Sequence, residues 1–283
     1  MLTRTLLSVT PTLTRTILAA GVVLCACSSS DSSDSGGSGG SACSSIGYSK
    51  TAKIVNGDQC PISDSNDTSS VVKLEILSGG VSSGVCTGTA ISSTAVLTAA
   101  HCFLGGSRSV DVVTTSGGSQ QRIRSRSVSI HPGFTTQGGT LFVNDVAVVR
   151  TSRNLGVPIT PLLLQRDTQP GEEAVVAGYG QTSAGSSLPD DVYAGYATVR
   201  TVTDDHVRID FKANESHPCR GDSGGALLVQ DGGLAIAGVV SQSDPSVSGD
   251  TICEVGDITL YTNIQKASVS SFVLSVAPDA AVR

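Results

Sequence analysis

The 283-residue sequence contains no tryptophan, and only 4% of its residues are aromatic. A folded core must therefore rest on Val, Ile, Leu and Ala side chains. Charged residues make up 15% of the chain and the formal net charge is −6, so the basic surface that favours nucleic-acid binding is missing. The sequence also lacks a Cys-x-x-Cys pair, spaced histidine ligands and an acidic loop with calcium spacing, and we predict no metal or other cofactor.

The apolar run near the N-terminus, residues 17–24, is too short to span a bilayer as a permanent helix. It follows Arg4 and Arg15, and a short apolar run behind basic residues is typical of a secretion signal. We therefore predict that residues 1–26 form a signal peptide and that the protein is exported.

The predicted signal peptide leads into Leu24-Cys25-Ala26-Cys27, which resembles a bacterial lipobox, although Cys25 stands where Ala, Ser, Thr or Val is usual. The resemblance implies acylation of Cys27, with this lipid anchor as the protein's contact with a membrane of the cell envelope. Residues 27–53 would then form a Ser/Gly-rich tether and propeptide, because Ser, Gly and Asp cannot bury apolar surface. The alternative is an ordinary signal peptide and a soluble secreted product.

Residues 54–283 are predicted to form one all-β domain, because short β-rich runs alternate with Gly, Ser, Asp and Pro. A helical period occurs only near the C-terminus. The twelve predicted strands are 71–77, 84–91, 95–98, 109–115, 121–130, 145–150, 173–179, 192–202, 206–211, 224–230, 234–241 and 258–262.

Two distant motifs supply the residue types of nucleophilic catalysis. Ser223 lies in Gly221-Asp222-Ser223-Gly224-Gly225, and His101 lies in Thr98-Ala99-Ala100-His101-Cys102. A serine hydroxyl is a poor nucleophile unless an imidazole accepts its proton and a third group fixes that imidazole. Asp145 is the candidate third group, because an unpaired carboxylate at the start of an apolar run would be costly to bury. The sequence therefore predicts a serine hydrolase.

The chain order His101, Asp145, Ser223 resembles that of the chymotrypsin/trypsin-like serine peptidases. It differs from the Ser-Asp-His order of α/β-hydrolases and from the Asp-His-Ser order of subtilisins. The resemblance extends from Ile54-Val55-Asn56-Gly57 to Tyr261-Thr262-Asn263. It implies that Ser223 attacks a scissile carbonyl, that His101 transfers the proton and that Asp145 orients His101.

The family fold consists of two packed six-stranded antiparallel β-barrels, which correspond here to about 54–165 and 166–265. Residues 154–168 would connect them, and a short C-terminal helix is expected at 263–276. Ser241 matches the family serine that hydrogen-bonds the triad carboxylate.

The resemblance also implies an oxyanion hole and an activation junction. Backbone N–H groups of Gly221 and Ser223 would bind the oxyanion. Cleavage between Lys53 and Ile54 would free an α-amine that inserts beside Asp222, so the intact chain is expected to be a zymogen that needs an activating protease.

Six of the eight cysteines lie beyond the leader, and fifteen pairings are open to them. An exported chain favours disulfides over a metal site. The family resemblance selects Cys86–Cys102 and Cys219–Cys253, which leaves Cys43 and Cys60 for each other. A Cys43–Cys60 disulfide would keep the prosegment attached after activation.

The substrate pocket departs from trypsin-like enzymes, in which the residue six before the nucleophile is aspartate. That position is His217 here, so preference for Lys or Arg is not expected. The other predicted pocket residues are Pro218, Arg220, Ser241, Gln242, Ser243 and Thr259. A side chain at position 259 would make the pocket shallow and favour small aliphatic residues. Alternatively, His217 and Arg220 would attract an acidic side chain.

The leading interpretation is an exported, monomeric serine endopeptidase that acts on proteins or peptides. Two alternatives remain open at this point, a protease-like binding protein without turnover and an esterase that uses the same triad. His131 and His206 are interpreted as turn or strand residues with structural roles.

Overall fold

The computed structural model describes residues 41–47, 52–53, 58–60, 67–106, 109–247 and 252–283. The signal peptide, Cys27 and Ile54 lie outside the described residues, so the predictions made for them stay predictions.

The described elements are mostly strands. The N-terminal elements are α1 (Ala42–Ser45), β1 (Ala52–Lys53) and β2 (Asp58–Cys60). They are followed by β3 (Val71–Ser78), β4 (Val81–Ser92), β5 (Ala95–Thr98), a 3-10 turn (His101–Phe103), β6 (Ser109–Ser116), β7 (Ser119–Ile130), β8 (Thr135–Gln137), β9 (Leu141–Val143) and β10 (Ala147–Thr151). The C-terminal half contains β11 (Glu173–Gly178), β12 (Val192–Val202), β13 (His206–Asp210), β14 (Ala226–Gln230), β15 (Leu234–Ser243), β16 (Ile258–Asn263) and α2 (Ala267–Val276).

Barrel 1 has the strand order β10-β5-β4-β3-β6-β7 and is closed by antiparallel pairing of β7 with β10. Barrel 2 has the order β12-β11-β14-β15-β16-β13 and is closed by pairing of β12 with β13. The prediction of an all-β protein with two six-stranded antiparallel barrels and a short C-terminal helix is confirmed. The small hairpin β1–β2 extends barrel 2, because Cys60 pairs with Val192 of β12.

Alternating side chains fill the barrels and the interface between them. Ala147 and Val149 of β10 point into barrel 1, whereas Val148 and the residue that precedes the strand, Val146, belong to the cluster between the barrels. This two-residue period is that of a strand buried on both faces. Asp145 lies two residues before β10. It is 0% exposed and is bonded by His101 of barrel 1 and by Ser241 of barrel 2, which places it at the inter-barrel surface.

The segment after α2 returns to the line where the barrels meet. The Ala281 N–H donates to the Ile91 carbonyl of barrel 1, and the Arg283 N–H donates to the carbonyl of Leu162, in the connecting segment. These bonds fasten the C-terminal residues across the interface.

Candidate active site

Asp145 and His101 form a tightly bonded pair at the inter-barrel surface. The two Asp145 carboxylate oxygens lie 2.8 Å from the His101 backbone nitrogen and 2.7 Å from its Nδ1. The Ser241 hydroxyl, from β15 of barrel 2, donates to Asp145 Oδ2 at 2.6 Å. A buried carboxylate is costly unless it is paired and hydrogen-bonded, and these three donors meet that condition.

His101 is held on the 3-10 turn that follows β5. The Cys86–Cys102 disulfide ties this turn to β4. On one face of the imidazole lies the ring of Phe142, with centroids 5.5 Å apart and an interplanar angle of 22°. Phe142 was not among the predicted site residues, and no local signal in the sequence could have indicated it, because only the fold brings β9 to His101.

Ser223 lies on a tight turn that packs against the strands leading to His101. The Thr87 N–H donates to the Ser223 carbonyl at 2.8 Å, and that carbonyl oxygen is 3.8 Å from Cys102 Sγ. Gly224 has φ +83°, and a Cβ atom there would collide with the Thr98 hydroxyl. The glycine is therefore needed both for its backbone conformation and for this close approach.

Gly221 also has a positive φ, of +102°. A Cβ atom at this position would lie 2.6 Å from Leu188 Cδ2 and 3.3 Å from the Tyr179 carbonyl oxygen. The Thr87 hydroxyl donates to the Gly221 carbonyl at 3.0 Å, which fixes the orientation of that peptide. Only glycine fits this position without strain.

The Asp222 side chain is buried beneath the turn that carries Gly221 and Ser223. Its carboxylate accepts the backbone N–H groups of Gly180 and Cys219, each at 2.8 Å. Burial raises the pKa of this carboxyl from 3.8 to about 6, against the lowering effect of the two N–H donors. The backbone of Lys53, at the predicted activation junction, lies opposite that of Asp58 in the antiparallel β1–β2 hairpin.

A cavity of about 140 Å³ opens beside Ser223. It is lined by Pro218, Cys219, Arg220, Ser223, Val240, Ser241, Gln242, Ser243, Ile252 and Thr259. Thus every predicted pocket residue except His217 lines this cavity, and none of these lining residues is acidic.

His217 lies behind the cavity rather than in its wall. Its side chain is fully buried, with Nε2 2.9 Å from the Thr259 hydroxyl oxygen and its ring stacked on Phe211 at 4.7 Å. Burial lowers the pKa of His217, opposed by the negative charge of Asp257, whose Oδ2 is 3.9 Å from Nδ1. The imidazole is therefore neutral at neutral pH and presents no positive charge to the cavity.

Three disulfides join Cys43 to Cys60, Cys86 to Cys102 and Cys219 to Cys253. The prediction of disulfide bonds is confirmed. Cys86–Cys102 and Cys219–Cys253 are the pairs that the family resemblance implied, and Cys43–Cys60 is the pair that remained. Among the described residues, no group of three or more His, Cys, Asp or Glu side chains is arranged to hold a metal ion. Within the same residues, no helix is both long and apolar enough to cross a membrane.

The model of the protein family described as Trypsin matches residues 54–268. The chain is 28% identical over 184 residues to "Fibrinolytic enzyme, isozyme C" of Lumbricus rubellus, covering 55% of this chain and 75% of that protein. It is 27% identical over 164 residues to trypsin of Sus scrofa, covering 50% and 68%. It is 29% identical over 198 residues to chymotrypsin of Phaedon cochleariae, covering 61% and 70%.

The two barrels, with the His101–Asp145 pair and Ser223 at their interface, have the architecture of a chymotrypsin-like serine peptidase. Since the family match covers more than half of the sequence, the chain belongs to the trypsin family. It is a serine-type endopeptidase, a hydrolase that acts on protein or peptide substrates.

Proposed function

We propose that this protein is an exported serine endopeptidase that cleaves peptide bonds through Ser223, His101 and Asp145 and an acyl-enzyme intermediate. The observation that carries the proposal is the bonding of Asp145, whose carboxylate contacts both the Nδ1 and the backbone N–H of His101. Because Asp145 accepts the proton on Nδ1, the other ring nitrogen is free to accept the proton of the nucleophile. Ser223 lies on the turn that packs against Thr98, and its carbonyl oxygen is 3.8 Å from Sγ of Cys102, the residue after His101.

In this mechanism Ser223 Oγ attacks the scissile carbonyl while His101 takes its proton. His101 then donates that proton to the leaving amine, and water hydrolyses the acyl-enzyme by the reverse roles. Asp145 orients His101 and stabilises the imidazolium. The backbone N–H groups of Gly221 and Ser223 bind the oxyanion, and the loss of one such donor typically lowers the rate on the order of a hundredfold or more.

The intact chain is a zymogen activated by cleavage between Lys53 and Ile54. The state of Asp222 supports this step, because its buried carboxyl has a pKa raised to about 6 and would gain from a nearby cation. An α-amine freed at Ile54 would be such a cation. Its pairing with Asp222 would stabilise the turn that carries Gly221 and Ser223.

The prosegment stays attached after that cleavage. Cys43, on α1, is bonded to Cys60 on the other side of the junction. Ala42, Cys43 and Ile46 are all buried in the inter-barrel cluster, so α1 has its own apolar contacts in addition to the disulfide. If Cys27 is acylated as its sequence context predicts, the active enzyme remains anchored to a membrane of the cell envelope.

The cavity beside Ser223 favours a short, uncharged side chain in the substrate residue before the scissile bond. Thr259 lines the cavity, and its hydroxyl is hydrogen-bonded to His217. Arg220 lines the cavity, so a Lys or Arg side chain would meet a like charge. An acidic side chain is the second candidate, because it would pair with Arg220.

The test uses the full-length chain and a fluorophosphonate probe, which labels an activated serine. We expect labelling to rise after treatment with immobilised trypsin, with Ile54 as the new N-terminus by sequencing. Ser223→Ala, cleaved in the same way, should not be labelled. A peptide library applied to the activated protein then gives the cleavage preference. Correct cleavage without labelling would contradict the proposed catalytic role of Ser223, and turnover of esters but of no peptide would contradict the proposed substrate class.

A further inference from the structure

The β8–β9 hairpin, residues 135–143, is a separate two-stranded sheet in the segment between β7 and β10 of barrel 1, and it bonds to side chains of barrel 2. Thr135 to Thr140 are exposed, whereas the β9 residues are half-buried. The Phe142 ring contacts two other rings. It stacks on His101 at 5.5 Å and 22°, and Phe134 packs against it edge-on at 5.6 Å and 66°.

Gln242, in the wall strand β15, bonds to the backbone of this hairpin with both ends of its amide. The Phe142 N–H donates to Gln242 Oε1 at 2.6 Å, and Gln242 Nε2 donates to the Thr140 carbonyl at 3.1 Å. The side chain therefore satisfies the edge of β9 much as a neighbouring strand would.

His206, in β13 of barrel 2, makes a third bond to the same strand. Its Nε2 lies 2.8 Å from the Phe142 carbonyl oxygen, and because that oxygen can only accept, Nε2 carries the proton. The Phe142 backbone is thus held at its N–H by Gln242 and at its carbonyl by His206. Both of these partners belong to barrel 2, whereas His101 and Asp145 belong to barrel 1.

We propose that Phe142 is a positioning residue for the His101 imidazole, and that Gln242 and His206 hold it in place. The inference rests on the proposed function of His101 as the general base. Asp145 fixes one edge of the imidazole, but a ring held at an edge can still tilt about that hydrogen bond. A flat apolar ring against one face removes this freedom and leaves Nε2 directed at the nucleophile.

The arrangement makes the orientation of the base depend on the docking of the two barrels. Ser223 comes from barrel 2, and so do the two side chains that hold Phe142. The contact between the Phe142 ring and the face of the His101 imidazole is therefore positioned by barrel 2, which also carries the nucleophile. Preorganisation of this kind acts on the chemical step rather than on substrate affinity.

The molecule supplies a matched control, because a second phenylalanine packs against a histidine ring elsewhere. Phe272 of α2 lies 4.9 Å from His131, at an interplanar angle of 68°. Phe272→Leu removes a comparable aromatic contact without touching any residue placed in the proposed catalytic machinery. It reports the loss of activity that comes from weakened packing alone.

The experiment measures kcat and KM of the trypsin-activated full-length protein on one peptide substrate for Phe142→Leu, Phe142→Tyr and Phe272→Leu. We expect Phe142→Leu to lower kcat on the order of tenfold or more and to change KM by less than about twofold. Phe142→Tyr, which keeps the aromatic face, should restore most of kcat. Phe272→Leu should leave kcat near that of the unmodified protein.

Variants at His206 test its hydrogen bond to the Phe142 carbonyl. His206, unlike Gln242, does not line the cavity beside Ser223. His206→Gln keeps an N–H donor for the Phe142 carbonyl and should retain kcat, whereas His206→Leu should lower it in the same way as Phe142→Leu. Unfolding midpoints are measured for the same variants, so that a loss of stability can be distinguished from a loss of rate.

Two outcomes would overturn the inference. In the first, Phe142→Leu and Phe272→Leu have equal effects on kcat. In the second, Phe142→Leu raises KM with kcat unchanged, which would make Phe142 a substrate contact. His101→Ala is measured in the same series, and retention of activity in that variant would contradict the proposed function itself rather than the role of Phe142.

Discussion

The buried carboxyl of Asp222 leads to a stability prediction for the uncleaved chain. Its pKa is raised from 3.8 to about 6 by burial, so the folded state holds this proton more tightly than the unfolded state does. The stability contributed by the protonated carboxyl is complete below about pH 3.8 and is lost as the pH rises to about 6. At 1.36 kcal/mol per pKa unit, the loss amounts to about 3 kcal/mol.

Asp222→Asn cannot titrate at this position. The difference in unfolding free energy between the parent and this variant therefore reports the titration of Asp222. The amide cannot accept both backbone N–H groups, so the variant leaves one buried donor unpaired, at a pH-independent cost of about 1 to 3 kcal/mol. Against that constant offset, the free energy of unfolding of Asp222→Asn should improve relative to the parent by about 2 to 3 kcal/mol between pH 4 and pH 7.5. Because all other carboxyls are common to both proteins, their titration cancels in the difference.

The measurement is urea denaturation of the two uncleaved proteins at both pH values, each carrying Ser223→Ala to prevent self-cleavage. A difference in unfolding free energy that stays constant with pH would refute the reasoning. Cleavage at Ile54 provides a second comparison, because an ammonium beside Asp222 should abolish the advantage of the amide at neutral pH.

Three further outcomes are expected. Thr259→Gly should deepen the cavity and broaden cleavage toward longer side chains in a peptide library, whereas Thr259→Ser, which keeps the bond to His217, should not. Ser241→Ala removes a hydrogen bond to the Asp145 carboxylate worth about 1.5 to 3 kcal/mol, and should lower kcat about tenfold or more. Replacing both cysteines of the Cys43–Cys60 pair by serine should let activated protein lose its prosegment on denaturing gels without reductant, whereas the parent should lose it only with reductant.

The strand pattern was readable from the sequence because it depends on local features. Twelve β-rich runs were predicted between turn-forming residues, and the strands of the two barrels lie at those places, although β4 begins earlier than predicted. The short strands β8 and β9 were missed, since three-residue strands leave no clear period. The second of these strands carries Phe142.

The sequence also predicts the candidate nucleophile, base and carboxylate, because each lies in a motif or at a position that restricts its role. What the sequence could not give was their environment. His217 stood at a position predicted to belong to the pocket, yet in the structure it lies behind Thr259 and stacks on Phe211. The residue to which it is hydrogen-bonded, Thr259, is 42 positions away in the chain.

The sequence by itself determined the fold class and the residues available for chemistry, because hydrophobic period, glycine turns and residue type are properties of short segments. Only the tertiary structure decided which groups are buried, which carboxyl has a raised pKa and which ring lies on the imidazole. Each of these depends on atoms that residues far apart in the chain bring within a few ångströms. Desolvation and hydrogen bonding act over those distances and are not encoded in any single segment.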